Sequence, residues 1–158
     1  MNAACQLVIF RLNGLPYGIP LSGVDRVVRA VRVTRLPGAV PPILGIIDVA
    51  GRVLPVLSLR TRFGWPDREV ELSDQFIIAH TGWRDLVLVV DEVCGVSDNL
   101  SHSQESGFDQ VKGHEIVKGL IAGVEGLVVI CDLEGFLSGE QEGALESVLL
   151  RERSDCAD

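Results

Sequence analysis

The sequence predicts a mainly β chain: two related small antiparallel barrels sharing one core, with short helices between strands and a C-terminal helix. Three observations lead there. Short apolar runs rich in β-branched residues, each bounded by a turn signal, fill most of the length. The second half repeats the pattern of the first: GIIDVAGRVLPVLSLRTRF from Gly45 falls on GLIAGVEGLVVICDLEGFL from Gly119, an offset of 74 residues. At 158 residues and 47% hydrophobic, the chain is one domain by length, 1–158, able to bury roughly 70% of its unfolded surface.

Taken in order, Gln6–Leu12 reads as a strand, Asn13-Gly14 as a tight hairpin turn and Tyr17–Leu21 as the returning strand. Ser22, with Asp25 three residues on, predicts the cap of a brief helical turn carrying Val24 and Val27. Val27–Leu36 is extended, its β-branched residues alternating with arginines, and Pro37-Gly38 with Pro41-Pro42 forms a stiff connector. Ile43–Val49 and Arg52–Leu59 make a second hairpin around Ala50-Gly51. Pro55 has no N–H to give a ladder, which predicts an edge strand or a bulge there.

After the polar stretch Gly64–Asp74 the cycle restarts, with Phe76–His80, a turn at Thr81-Gly82, and Leu86–Val93. Ser97–Lys112 is polar and aperiodic and reads as a surface loop. The closing hairpin runs to Cys131, a short turn covers Leu133–Leu137, and Glu140–Arg151 reads as a helix with Leu145, Val148 and Leu149 on one face. The helix and tail occupy about 139–158. A crease between the two lobes is where a partner would lie.

The formal charge of −8 argues against nucleic acid and anionic membrane as partners, since phosphate is held by clustered Lys and Arg. Arg26, Arg29, Arg32 and Arg35 do cluster, as do Arg60 and Arg62, and read as solvated charge. The apolar runs Leu86–Val90 and Leu127–Cys131 fall far short of the ~20 residues that span a bilayer. No charged, apolar leader precedes Ala3-Ala4-Cys5, so no secretory signal is read. Four scattered cysteines with no Cys-x-x-Cys suit reduced thiols and a cytoplasmic location.

No constellation for catalysis emerges. His80, His102 and His114 lack metal-ligand spacing and read as surface or capping groups. Asp91 and Glu92 are neighbours on a strand and point to opposite faces, so they make a poor acid–base pair. Asp132 reads as a structural carboxylate and Cys131 as a small core residue. No glycine-rich loop opens a helix to cradle phosphate. The expectation is no enzyme, no metal and no cofactor.

One set of pieces goes further. Tyr17-Gly18-Ile19-Pro20-Leu21-x-x-Val24 is followed by Thr34-x-Leu36-Pro37, then Gly45-Ile46-Ile47-x-x-x-Gly51-x-Val53-x-Pro55-Val56, then Leu59-Arg60-x-x-Phe63-Gly64. Val89-Val90-Asp91-x-Val93 and Ile130-x-Asp132-Leu133 complete the order. Over residues 6–138 the chain resembles a CheW-type chemotaxis coupling protein. The resemblance implies two five-stranded, SH3-like barrels around a common core. It also implies a non-catalytic adaptor that bridges the cytoplasmic hairpin tip of methyl-accepting chemoreceptors to the regulatory domain of a CheA-type histidine kinase. By position it implies a partner-binding groove at Arg26, Val27, Gly45, Asp48, Ala50, Gln75 and Val96.

Two positions depart from the family's usual pattern: Arg26 stands in place of Glu, and Asp48-Val49-Ala50-Gly51 in place of Asn-x-Arg-Gly. A reversed charge at position 26 would repel a basic partner and attract an acidic one. A CheW-like scaffold of a divergent, non-flagellar pathway is the alternative. A small β-barrel that binds a ligand or oligonucleotide is a third reading, weakened by the charge and by 5% aromatic content.

Overall fold

Eleven strands are formed by the residues that the computed structural model describes, which are 6–38, 43–66, 68–82, 84–97, 101–103, 117–123 and 126–132. In chain order they are β1 (Leu7–Leu12), β2 (Leu15–Pro20), β3 (Val24–Arg29), β4 (Ile43–Val49) and β5 (Arg52–Ser58). There follow β6 (Gln75–His80), β7 (Asp85–Val90), β8 (Glu92–Ser97), β9 (Ser101–Ser103), β10 (Val117–Gly123) and β11 (Gly126–Cys131). A single turn of helix, α1 (Leu59–Arg62), follows β5, and a 3-10 turn at Leu21–Gly23 precedes β3. The chain is mainly β.

The strands form a six-stranded sheet in the order β8-β1-β2-β11-β10-β9 and a five-stranded sheet in the order β3-β6-β7-β5-β4. Each sheet mixes the two halves of the chain. The hairpin β1–β2 lies with the late strands β8, β10 and β11, while the hairpin β6–β7 lies with the early strands β3, β4 and β5. The pairing registers repeat as well. In β4–β5 and β10–β11, Ile43↔Leu57 matches Val117↔Cys131, and Val49↔Arg52 matches Gly123↔Gly126, with the register shift at the same place in both. Those matches hold the 74-residue offset that the sequence shows. The β3–β6 and β8–β1 pairs also share one irregularity, at Val24/Arg26 in one and Ile9/Phe10 in the other. An internal duplication whose halves have exchanged strands accounts for all of this.

Period-two alternation explains the cores. Val8, Phe10 and Leu12 on β1 face a central cluster with Leu57, Ile77, Ala79, Leu86, Leu88, Val90 and Cys131, drawn from both sheets. The opposite face of β6 and β7 (Phe76, Ile78, Val87) packs on Ala30, Ile47, Leu54 and Val56. Leu7 and Ile9 on the other face of β1 meet Val128 and Ile130. Strands buried on both faces must be apolar throughout, as FIIA and LVLV are. Beyond β3, the N–H and C=O of Thr34 pair with those of Ile46 at 2.9 and 2.8 Å, so the chain leaving one edge of the five-stranded sheet is stitched to the other.

Turn chemistry sets both tight hairpins. Asn13 and Gly14 have φ of 56° and 78°, Ala50 and Gly51 of 52° and 86°, the pair of positive angles that a two-residue hairpin matching the strand twist needs.

Several expectations change. Pro55 lies in an interior strand rather than at an edge, one pair away from the register shift that β4 makes at Ile43/Gly45. Ile46 turns both its backbone groups to Thr34, so Pro55 opposite it faces away from β4, and the parallel ladder to β7 starts only at Val56. Its missing donor therefore costs no ladder bond. The turn before β3 starts from Pro20 with no side-chain cap, and Val24 and Val27 belong to β3. Ser101–Ser103, inside the expected surface loop, pairs with β10. Pro41-Pro42, Leu133–Leu137 and the Glu140–Arg151 helix lie outside the described residues.

Candidate functional site

Of the residues assigned to the groove, Arg26 and Val27 sit on β3, the first exposed and the second half-buried against the central cluster. Asp48 and Ala50 are exposed at the β4–β5 turn, where the Gly51 N–H donates to Asp48 Oδ1 at 2.9 Å. Val96, 55% exposed, is on β8, the edge strand of the other sheet. Gln75 is half-buried, and its Oε1 accepts from the Val93 N–H, tying β6 to β8 across the two sheets. It also pairs with Arg29 in the β3–β6 register. Gly45 is buried, and a Cβ there would lie 2.2 Å from the carbonyl oxygen of Thr34. The residues are thus distributed over three sheet edges, with Gln75 and Gly45 holding those edges from behind.

Sequence reasoning missed a polar cluster at the junction of the sheets. Asp91, at the point where the chain leaves β7 for β8, accepts from Arg60 Nη2 at 2.7 and 2.9 Å, from Arg68 Nη2 at 2.9 Å and from the Asn13 N–H at 2.9 Å. Arg60 also donates to Asn13 Oδ1. Arg68 grips Asp74 through two bonds of 3.0 and 2.8 Å, and Asp74 is almost wholly buried. Burial by itself would raise the pKa of Asp91; the bonds from Arg60 and Asn13, the attraction of Arg60 and the bond from Arg68 outweigh it and set the pKa below the ordinary carboxylate value. Arg68 is held charged chiefly by its bond to Asp74, against the opposing effect of burial. Two arginines and two aspartates leave the cluster neutral, so it serves as a clasp. The one sequence signal for it was the acidic pair Asp91-Glu92 ending the apolar run Leu86–Val90.

Beside the clasp, Tyr17 stacks between Phe10 and Phe63 with ring centres at 5.8 and 5.0 Å, and Trp65 meets both Tyr17 and Phe63 edge-on. Burial pushes the Tyr17 hydroxyl up to about 12, with a smaller contribution from Cys131, and pushes the Cys131 thiol up to about 12, with a smaller one from Asp132. His80 Nε2 donates to the Ser22 carbonyl at 3.1 Å. Among the described residues no three His, Cys, Asp or Glu side chains gather as metal ligands would, and no helix is long and apolar enough to cross a membrane.

A family model described as a CheW-like domain matches residues 6–141. The chain belongs to the CheW-like family. Among its relatives, the chemotaxis protein CheW of Klebsiella aerogenes is 28% identical over 148 residues, 90% of this chain and 87% of that one. The chemotaxis protein CheW of Bacillus subtilis is 35% identical over 89 residues, and that match spans only 55% of this chain and 56% of the relative. The crystal structure of the scaffolding protein TtCheW from Thermoanaerobacter tengcongensis superposes with a TM-score of 0.77 at 25% identity, covering 88% of this chain and 96% of that one.

Within this CheW-like chain, pieces on which the resemblance rests turn out to be fold determinants. Leu59-Arg60 and Val90-Asp91 meet in the clasp, Tyr17 and Phe63 stack on each other, and Gly45 makes room for Thr34. Arg26 and Ala50, the two positions at which the resemblance implies a departure, are both exposed. Their side chains are therefore free to meet a partner without disturbing the core.

Proposed function

We propose that the chain is a non-catalytic adaptor of a chemotaxis signalling complex, coupling the hairpin tip of a methyl-accepting chemoreceptor to the regulatory domain of a CheA-type histidine kinase. The CheW-like match across residues 6–141, spanning strands of both sheets, carries this reading. An adaptor of this kind works by holding partners in register, so its output depends on interface packing and rim charge and no bond is broken. Its partner-binding face comprises Arg26, Val27, Asp48, Ala50, Gln75 and Val96, with Gly45 as the buried support. Pull-downs with the kinase regulatory domain and with a receptor tip, each alone and then together, test it. Capture of both in one complex is expected; capture of neither overturns the reading.

Arg26 and Ala50 favour a second version, in which the same coupling serves a dedicated pathway with a non-standard receptor. The variant R26E/A50R restores the family's usual charges on exposed positions. Under this version it gains affinity for a conventional receptor tip, and unchanged affinity counts against it.

A further inference from the structure

The ribbon Val24–Leu36 carries Arg26, Arg29, Arg32 and Arg35 against a single acid, Asp25, a net +3 within a chain of −8. All four arginines are exposed. Arg26 has a loose contact with Asp25 at 3.8 Å, and the other three enter no ion pair among the described residues. The acids nearest along the fold form no ion pair with these three. Asp74, whose carbonyl accepts from the Ala30 N–H, gives its carboxylate to Arg68, and Asp48 accepts from Gly51 in its own turn. The backbone of β3 itself is open too: it is an outermost strand, bonded to β6 on one side and to no described strand on the other, and the ribbon closes onto β4 only past its end, at Thr34. Such an edge takes up extended chain, and the residues along it decide which chain.

We propose that this ribbon binds an extended acidic segment of a partner protein, added to β3 as a further strand, with carboxylates on one face meeting Arg26, on the other Arg29, and continuing past the strand end to Arg32 and Arg35. The proposal rests on reading β3 as a partner-binding edge of the adaptor. Charge distribution selects this ligand over other polyanions. Outside the ribbon the chain carries −11, which repels a duplex or an anionic bilayer broad enough to reach past the arginines, whereas a single strand meets only the ribbon. Screening at physiological salt, with a Debye length of about 8 Å, confines the attraction to close contact.

The test uses a fluorescein-labelled peptide of Glu-Glu-Thr repeats, which carries carboxylates on both faces of a strand, with its lysine counterpart, single-stranded oligothymidylate and phosphatidylserine vesicles as comparison arms. The full chain binds the acidic peptide and not the lysine one, with affinity falling as salt rises. Each of R29E, R32E and R35E weakens it about two- to fivefold, as exposed ion pairs do, and the triple variant by tenfold or more, while R29K/R32K/R35K retains binding. Unchanged thermal unfolding of the triple variant excludes misfolding as the cause; if the triple unfolds, the single variants decide. Three results overturn the proposal: no peptide binding, which would leave the arginines only guarding the edge against self-pairing; tighter binding to vesicles or oligothymidylate; or salt-sensitive self-association in place of peptide binding. A peptide that binds while kinase domain and receptor tip do not would sink the coupling function and leave the ribbon standing.

Discussion

Replacing Gly45 by alanine tests whether this glycine is a packing requirement of the fold. Its φ is not among the positive values, so alanine meets no intrinsic backbone strain, and the loss of unfolded-state freedom favours the variant by about 0.4–1 kcal/mol. The added methyl, however, would lie 2.2 Å from the Thr34 carbonyl oxygen, 2.9 Å from the Thr34 carbonyl carbon and 2.8 Å from Val33 Cγ1. The first two are backbone atoms and no rotamer change removes them. Restoring ordinary contact moves Thr34 by more than an ångström, which breaks its two bonds to Ile46 at 2.9 and 2.8 Å. Overpacking costs about 1–3 kcal/mol and each of the two lost bonds about 0.5–1.5 kcal/mol, so G45A should destabilise by about 1–5 kcal/mol after the entropic offset. Urea unfolding of the full chain measures it. Val33→Ala relieves the side-chain contact alone, so coupling in the G45A/V33A cycle should stay below about 1 kcal/mol. A G45A loss under about 0.5 kcal/mol would refute the close-approach argument and return Gly45 to consideration for the partner face alone.

Asp91→Asn keeps the shape of the clasp and removes its charge, costing about 1–3 kcal/mol at neutral pH in denaturant unfolding. The folded pKa of Asp91 lies below its unfolded value, so its contribution is complete above about pH 4 and fades as pH falls through the lower folded value; the gap between wild type and D91N should close in acid, and a constant gap would contradict the assignment. Peptide mapping after native thiol labelling at neutral pH should find Cys94 modified and Cys131 protected until denaturant is added, because Cys94 is exposed and burial raises the Cys131 thiol to about 12. A chain cut within the Gly64–Asp74 loop should yield fragments that are unfolded apart and regain β circular dichroism when mixed, since each sheet draws strands from both halves.

Strands and hairpin turns were legible because they are local. Asn13-Gly14 and Ala50-Gly51 announce their turns, and period-two alternation marks each strand. The 74-residue offset foretold the register of β10 on β11 from that of β4 on β5. What alternation does not encode is the neighbour. Nothing in the run of Phe76–His80 says that it pairs with β3 as well as β7, and the Arg60–Asp91 bond joins residues 31 apart in sequence. Pro55 misled because its cost depends on which way its nitrogen points, a property of register. For the candidate site, the residues came from the family resemblance; physics alone marked the arginines and left them as solvated charge.

Exchanged strands bear directly on how an adaptor of this architecture transmits force. Had each half of the chain formed its own sheet, a partner pulling on β3 would load one half and a partner pulling on β8 the other, with a linker between. Here β3 is bonded to β6 and β8 to β1, so each of these two edge strands belongs to one half and its anchor to the other. Gln75 joins β6 to Val93, and Asp91 joins α1, the β1–β2 turn and the β7–β8 junction. Separating the two sheets therefore means opening the central cluster, in which Val8, Phe10 and Ile19 pack among Ile77, Leu86 and Leu88. At about 1.5–3 kcal/mol for each such side chain, exposing these six costs about 9–18 kcal/mol, as much as the whole stability of a typical domain. The two sheets must move as one body, and any signal passed through the molecule travels as a change in how its edges are held.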